Sequence, residues 1–379
     1  VSWQKVQLAE VCNITMGQAP VGSSYNEKNI GYALIAGAGD FGESTPTPKK
    51  FTTAASKISG VGDLILCIRA TIGDLNWSDK QYCLGRGVAG LNPKNNLLDK
   101  NYLWHFIGSN KQQLSSLGTG STFKQINSSH IREFEIPLPP LAEQKRIAAI
   151  LDKADGIRRK RQQATQLADE FLRTVFLDMF GDPNSNLKEW DLTTLGDLIE
   201  FAKDGPHVSP RYSESGIPFL STRHIKSTGV VWEDLKYVSH EEADLHWKKC
   251  KPQKGDILYT KGGTTGIACP VSFEKDFAVW VHVALVRPKA SLVNYIWLTH
   301  MLNTKYCYEQ SQKLTRGATN KDLGLKRMVD IKMFAPPIEE QVKFVNLKNK
   351  VLKLLSKFDD SYAFNFFESL SQKAFAGKL

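Results

Sequence analysis

The stretch "PLPPLAEQ" at residues 137–144 is written almost again as "FAPPIEEQ" at residues 334–341. Proline stops a preceding element and suits the first helical positions, and a carboxylate just after it suits the positive end of the helix dipole. Each copy therefore marks the end of a mixed domain and the start of a helix. Working outward, "WQKVQLAEV" from Trp3 answers "WDLTTLGDL" from Trp190, "GDLILCIRATIG" from Gly62 answers "GDILYTKGGTTG" from Gly255, and "GSTFKQI" from Gly120 answers "GATNKDL" from Gly317. The offset between matched anchors rises from 187 to 197 along the chain, as a tandem duplication with small insertions would leave it.

A chain of 379 residues is long for one core and suggests two or three domains. Hydrophobic content of 41% with 23% charged residues is that of a folded chain. The excess of 49 Lys+Arg over 39 Asp+Glu favours a polyanionic partner, nucleic acid ahead of a membrane surface. The six cysteines lie far apart, with no CxxC pair, and are expected as reduced thiols of a cytoplasmic protein. No apolar run approaches the ~18 residues of a membrane span, and "VSWQKVQLAE" offers no signal-peptide core.

The runs "YALIAG", "DLILCI", "IPFLST", "DILYT" and "FAVWVHVALV" are β-branched and aromatic, bounded by Gly, Asp and Pro, and read as short strands. No βαβ alternation with a dinucleotide glycine motif follows them, so the fold class expected is α+β. After the first Pro-Pro pair, Ile147, Ile150, Ala154, Ile157, Arg161, Ala164, Ala168, Phe171 and Val175 step by three and four, the seam of a coiled coil. Phe344, Leu347, Val351, Leu354 and Phe358 repeat the device. The expected organisation is a mixed domain over 1–140, a helix over 141–181, a second mixed domain over 182–336 and a second helix over 337–379. A helix of ~35 residues is about 50 Å long, more than its own domain needs. Two such helices packed antiparallel would be a spacer between two pseudo-symmetric arms.

Enzyme signatures fail in turn. "TKGGTTG" at 260–266 has Ile267 and Ala268 where a phosphate-binding loop needs Lys and Ser or Thr. "GDPN" at 181–184 lacks the second proline and the aromatic of an amino-methyltransferase tetrapeptide, and neither HExxH nor GxSxG occurs. "EDLK" at 233–236 has the residues of a nuclease-motif tail, but Asp, Glu and Lys fall together by chance on many helices.

Binding chemistry remains. The loop after each Gly-Asp strand carries small hydroxylic and basic residues: Arg69 and Thr71 with Gly73, then Lys261, Thr264 and Thr265 with Gly266. A second loop carries Ser121, Thr122 and Lys124, matched by Thr319 and Lys321. Short side chains with exposed amides let phosphate oxygens approach, and Arg and Lys supply charge. Base reading needs residues that differ between repeats, which singles out Arg223 and His224 of "STRHI", where the first repeat has "AGAGD".

The tandem Pro-Pro-x-x-Glu-Gln helix openings, "LPPLAEQKRIAAILDKAD", "LRTVFLDMFGDP" and the closing "SLSQKAFAGKL" resemble, over the whole chain, the specificity subunits of type I restriction-modification systems. The resemblance implies two target-recognition domains joined by two helices packed as an antiparallel coiled coil, each domain reading one half of an interrupted, asymmetric site in double-stranded DNA. It implies no catalysis and no cofactor on this chain. S-adenosylmethionine, ATP and Mg are expected on its partners, two modification subunits and the restriction subunits. The joints at Pro139, Pro140, Gln144, Pro336, Pro337 and Gln341 would be hinges and docking points for the modification subunits. Two readings stay beside it: a DNA-binding regulator without a methyltransferase partner, and a coiled-coil scaffold.

Overall fold

The computed structural model describes residues 3–120, 124–357 and 360–379, with side chains of 360–365 not described. The chain divides into two compact units, one of Val1–Ala164 with Phe358–Leu379, the other of Thr165–Lys357.

In unit 1 a four-stranded antiparallel sheet runs in the order Cys12–Met16, Val88–Pro93, Leu64–Cys67, Leu75–Trp77. A second sheet runs Tyr25–Asn26, Lys50–Thr52, Tyr32–Ile35, Cys83–Leu84, its last pair parallel. Unit 2 repeats both orders with Ile199–Asp204, Val283–Pro288, Ile257–Thr260, Ala268–Pro270, and Tyr212–Ser213, Lys236–Val238, Ile217–Leu220, Ala278–Val279. Each unit is closed by a two-stranded ladder that ties its opening strand to the strand before the prolines: Lys5–Gln7 with Glu135–Pro137, and Leu192–Thr194 with Lys332–Phe334. The ladders fix where each helix begins.

The Gly-Asp strands are almost wholly apolar because both their faces are buried. Leu64 and Leu66 point into a core shared with the helix Lys100–Ser109, while Ile65 points into a core with Ala33, Ile35 and Leu84. In unit 2 Ile257 and Tyr259 face one core and Leu258 the other, the alternation a period of two demands. The run "FAVWVHVALV", read as one strand, is two: Ala278–Val279 and Val283–Pro288 belong to different sheets. A turn in which the Val283 N–H donates to the Trp280 carbonyl at 2.9 Å carries the chain between them. All six cysteines are buried free thiols.

The helix after the first prolines spans Leu141–Phe180. Its opening turns bury Gln144, Ile147, Ala148 and Leu151 in unit 1, and its last turns bury Leu172, Phe176 and Phe180 in unit 2. The seam read from the sequence is out of phase in places: Ile157 and Phe171 are 47% and 48% exposed. A stripe stepping from 144 through 147, 148 and 151 must face the helix's own domain, and that sets the phase. The second repeat continues into two helices, Ile338–Ser356 and Asp360–Phe375. Leu354, placed in the second seam, is 58% exposed, and Phe358 lies outside the described residues. Within each unit the helices pair start to end. Phe344, near the start of one, meets Phe176 and Phe180, near the end of the other, at ring distances of 5.3 and 5.9 Å. In unit 1 Ile147 and Leu151 share a core with Ala374 and Phe375.

His300 lies beside this aromatic cluster, 4.6 Å from Phe176 and 5.0 Å from Phe344 between ring centres. Burial, and then the positive charges of Lys348 and Arg173, push its pKa from 6.5 down to about 3. Between those values the unfolded chain binds a proton that the folded chain refuses, so stability rises with pH there. The melting temperature should therefore fall as pH drops from about 6.5 toward 5, and His300→Phe should flatten that slope; a slope unchanged in the variant would clear the histidine.

Candidate nucleic-acid interface

The reason each Pro-Pro pair is followed by Glu-Gln is visible in the joint. The first proline of each pair, Pro139 or Pro336, is buried and the second, Pro140 or Pro337, is exposed. The Pro140 carbonyl accepts from the Gln144 N–H at 3.0 Å, and that of Pro337 from the Gln341 N–H at 3.2 Å, the first bonds of each helix. The Gln144 side chain accepts from the Asp99 N–H at 2.8 Å and donates to the carbonyls of Leu97 and Pro139, both at 2.9 Å. Gln341 repeats the set, accepting from the Asn294 N–H at 2.8 Å and donating to Leu292 and Pro336 at 3.2 and 2.8 Å. A primary amide is the one neutral side chain that can both accept and donate twice in one plane. Both glutamines are fully buried in the joint, where their side chains latch it and brace each hinge.

The two candidate loops of each repeat, some fifty residues apart in sequence, are brought together. In unit 1 the Ala70 N–H donates to the Lys124 carbonyl at 3.1 Å and the Ile126 N–H to the Ile68 carbonyl at 3.1 Å. In unit 2 the Gly263 N–H donates to the Lys321 carbonyl at 2.9 Å and the Leu323 N–H to the Lys261 carbonyl at 2.7 Å. Arg69 bridges to Gln125 as Gly262 does to Asp322. Each first loop closes on a glycine with positive φ, Gly73 at 96° and Gly266 at 92°. A side chain at Gly266 would also strike Ser311 Oγ, since a Cβ there falls 2.3 Å from it.

The side chains divide into outward and inward sets. Arg69, Thr71, Lys124, Thr264, Thr319 and Lys321 are exposed on these paired loops. Ser121 and Thr122 lie outside the described residues. Lys261 is only 5% exposed and faces Asp204 Oδ2 and Asp322 Oδ1, each at 3.3 Å, so its charge is met within the fold. Thr265 is buried, its hydroxyl 3.1 Å from that of Thr315. His224 is buried and its Nδ1 accepts from the Ser221 N–H at 2.9 Å. The Asp40 carboxylate does the same job in unit 1, accepting from the Ala36 N–H at 2.7 Å. Burial, and then the charge of Arg223, hold the His224 pKa below the usual imidazole range. Lys261, Thr265 and His224 therefore face inward, whereas the sequence places all three among the candidate contacts. Arg223 is exposed, with its guanidinium donating to the Asp234 carbonyl.

Sequence reasoning missed the carboxylates. Asp63 accepts from the Gly60 N–H and the Asn92 side chain, both at 2.6 Å, and Asp256 takes a two-pronged bond from Arg287 at 2.8 and 2.9 Å. The recurring Gly-Asp was the signal: its aspartate pins the strand that carries the loop. Asp204 was missed too. Burial would raise its pKa, but Lys249 and Lys261 beside it hold the carboxylate below its usual range. Among the described residues no group of His, Cys, Asp or Glu could hold a metal ion, and no helix is long and apolar enough to cross a membrane.

Each of the two copies of one mixed domain carries an exposed basic loop pair and is braced to the helix that follows it. The model of the type I restriction modification DNA specificity domain matches residues 1–167 and again 187–367, and the chain belongs to that family. The type I restriction enzyme EcoBI specificity subunit of Escherichia coli is 23% identical over all of this chain and 86% of its own length. A Methanocaldococcus jannaschii protein named for the specificity subunit of the MjaX type I restriction enzyme is 32% identical over 46% of this chain and 42% of its own. The crystal structure of the specificity subunit of a type I restriction-modification system from M. genitalium matches 99% of this chain and 96% of its own with a TM-score of 0.61 at 16% identity, a likeness of fold. The chain is thus a DNA specificity protein of the type I restriction-modification class.

Proposed function

We propose that each unit reads one half of an interrupted, asymmetric site in double-stranded DNA, and that the helices set the unread gap between the halves. The observation that carries this reading is the loop pair built twice on one backbone frame, with Arg69 and Lys124 exposed in one copy and Thr264, Thr319 and Lys321 in the other. The shared frame holds phosphates, and residues that differ between copies, Arg223 among them, choose bases. The chain itself does no chemistry and works in the cytoplasm. Two modification subunits dock on the helices near the exposed Pro140 and Pro337 and use S-adenosylmethionine to methylate adenine, and restriction subunits supply ATP- and Mg-dependent cleavage.

Selection of bound duplexes from a randomised pool by the full chain should return two preferred blocks separated by an indifferent centre. Inserting seven residues in the exposed middle of Leu141–Phe180, and seven between Ser356 and Asp360, should lengthen the gap by about three base pairs, since seven residues rise ~10 Å and a base pair ~3.4 Å. Both blocks should keep their sequence. One continuous block, or a gap that ignores the insertion, would defeat the spacer.

A further inference from the structure

The duplication supplies an internal control for every residue, and at one place the copies solve the same problem with opposite chemistry. The ladder registers set Met16 against Ala89 and Asp204 against Ala284, so the last residue of the first strand is methionine in one copy and aspartate in the other. The residue after the Gly-Asp strand is Ile68 in unit 1 and Lys261 in unit 2, and their backbones are held alike: each N–H donates at 2.9 Å, to the carbonyls of Gly87 and His282 respectively. In unit 1 Met16 and Ile68 belong to one apolar core. In unit 2 the corresponding pair is an ion pair, Lys261 Nζ to Asp204 Oδ2 at 3.3 Å, with both residues about 5% exposed or less.

That pair is the centre of a chain of charges. Lys261 also meets Asp322 at 3.3 Å, Arg327 meets Asp322 at 3.3 Å, and Lys249 meets Asp204. His207 Nε2 lies 3.4 Å from Asp204 Oδ2. The network joins the end of Ile199–Asp204, the loop after Ile257–Thr260 and the loop carrying Thr319 and Lys321. An apolar contact tolerates sliding, whereas a buried charge that loses its partner is strongly destabilising, so an ionic tether fixes register more sharply. The position of Asp322 is held by Gln125 in unit 1, which has no charge to offer.

Resting on the DNA reading above, we propose that Lys261 is a positioning residue for sequence recognition by unit 2. It holds the paired loops in one register through Asp204 and Asp322, a function that unit 1 performs with Met16 and Ile68. The readout of one half-site therefore depends on a buried ionic tether and that of the other does not.

The test is selection from a randomised duplex pool by the full chain, with melting curves on the same samples. The block belonging to unit 2 is the one that Arg69→Glu with Lys124→Glu leaves intact. Lys261→Met should weaken base preference in that block at least tenfold and leave the other unchanged. Asp204→Met with Lys261→Ile, which copies the unit 1 solution, should bring the block back to within about threefold of wild type even where Lys261→Met alone fails to fold. Preferences untouched by Lys261→Met beside a lowered melting temperature would reduce the lysine to a structural part. A block lost in both variants at unchanged melting temperature would make Lys261 a direct DNA contact. Equal loss in both blocks would show that the network acts on the whole chain. Each of these three results overturns the proposal, while a wild-type chain that selects no sequence overturns the DNA reading beneath it.

Discussion

Gln341→Leu should lower the melting temperature of the chain by roughly 10 °C. Leucine fills the space but leaves the Asn294 N–H and the carbonyls of Leu292 and Pro336 without the partners they have. Each buried polar group so stranded costs about 1–3 kcal/mol. Two of the three bonds are only part-buried, which keeps the sum in the lower part of that range, on the order of 3–5 kcal/mol, at about 2–4 °C per kcal/mol for a unit of this size. Gln144→Leu should do the same to unit 1, through Asp99, Leu97 and Pro139. Calorimetry on both single variants would check this, and shifts below about 2 °C in both would mean that the joint is held by something other than the amide. The latch ties the first turn of each helix to the mixed domain that precedes it.

Arg69→Glu with Lys124→Glu should weaken DNA binding at least tenfold at low salt. Both side chains are exposed on loops held together by backbone bonds, so the fold should survive with its melting temperature little changed. Each phosphate contact contributes about 0.9 to the slope of log affinity against log salt. Losing two contacts should make that slope shallower by about 2, a change separate from the loss of affinity itself. Titrations by fluorescence anisotropy at several salt concentrations would measure both. An unaltered slope would remove these residues from the phosphate-binding surface whatever happened to the affinity.

The parts of this fold that were legible in sequence are those whose cause is local. Prolines end elements, β-branched runs bounded by glycine make strands, and a repeat in sequence makes a repeat in space. The two loops could be matched between copies because their hydroxylic and basic residues recur in order, and the structure pairs them within each copy. What was hidden depends on partners far away in the chain. Gln144 reads as one more polar helix residue until Asp99 and Leu97 stand beside it. Lys261 reads as a surface lysine until Asp204 and Asp322 enclose it. His224 reads as a residue that differs between copies and so as a candidate for base choice, until its burial and the bond from the Ser221 N–H show it capping its own turn. The helical seam slipped for a related reason: spacing by three and four fits two neighbouring stripes, and only the joint at Gln144 decides which one faces inward.

The two units differ in how their segments are ordered along the chain. Unit 2 is continuous from Thr165 to Lys357, whereas unit 1 combines Val1–Ala164 with a segment beginning at Phe358. Its core takes Ala374 from the helix Asp360–Phe375, with Phe367, Leu370 and Phe375 against it. During synthesis the strands of unit 1 precede those of unit 2, and the helix that completes their core follows only after nearly two hundred further residues have been added. At 5–20 residues per second that is an interval of roughly 10–40 s. Of the two units, unit 1 is thus the one begun earlier and completed later, because the helix that finishes its core follows the whole of unit 2 in the chain.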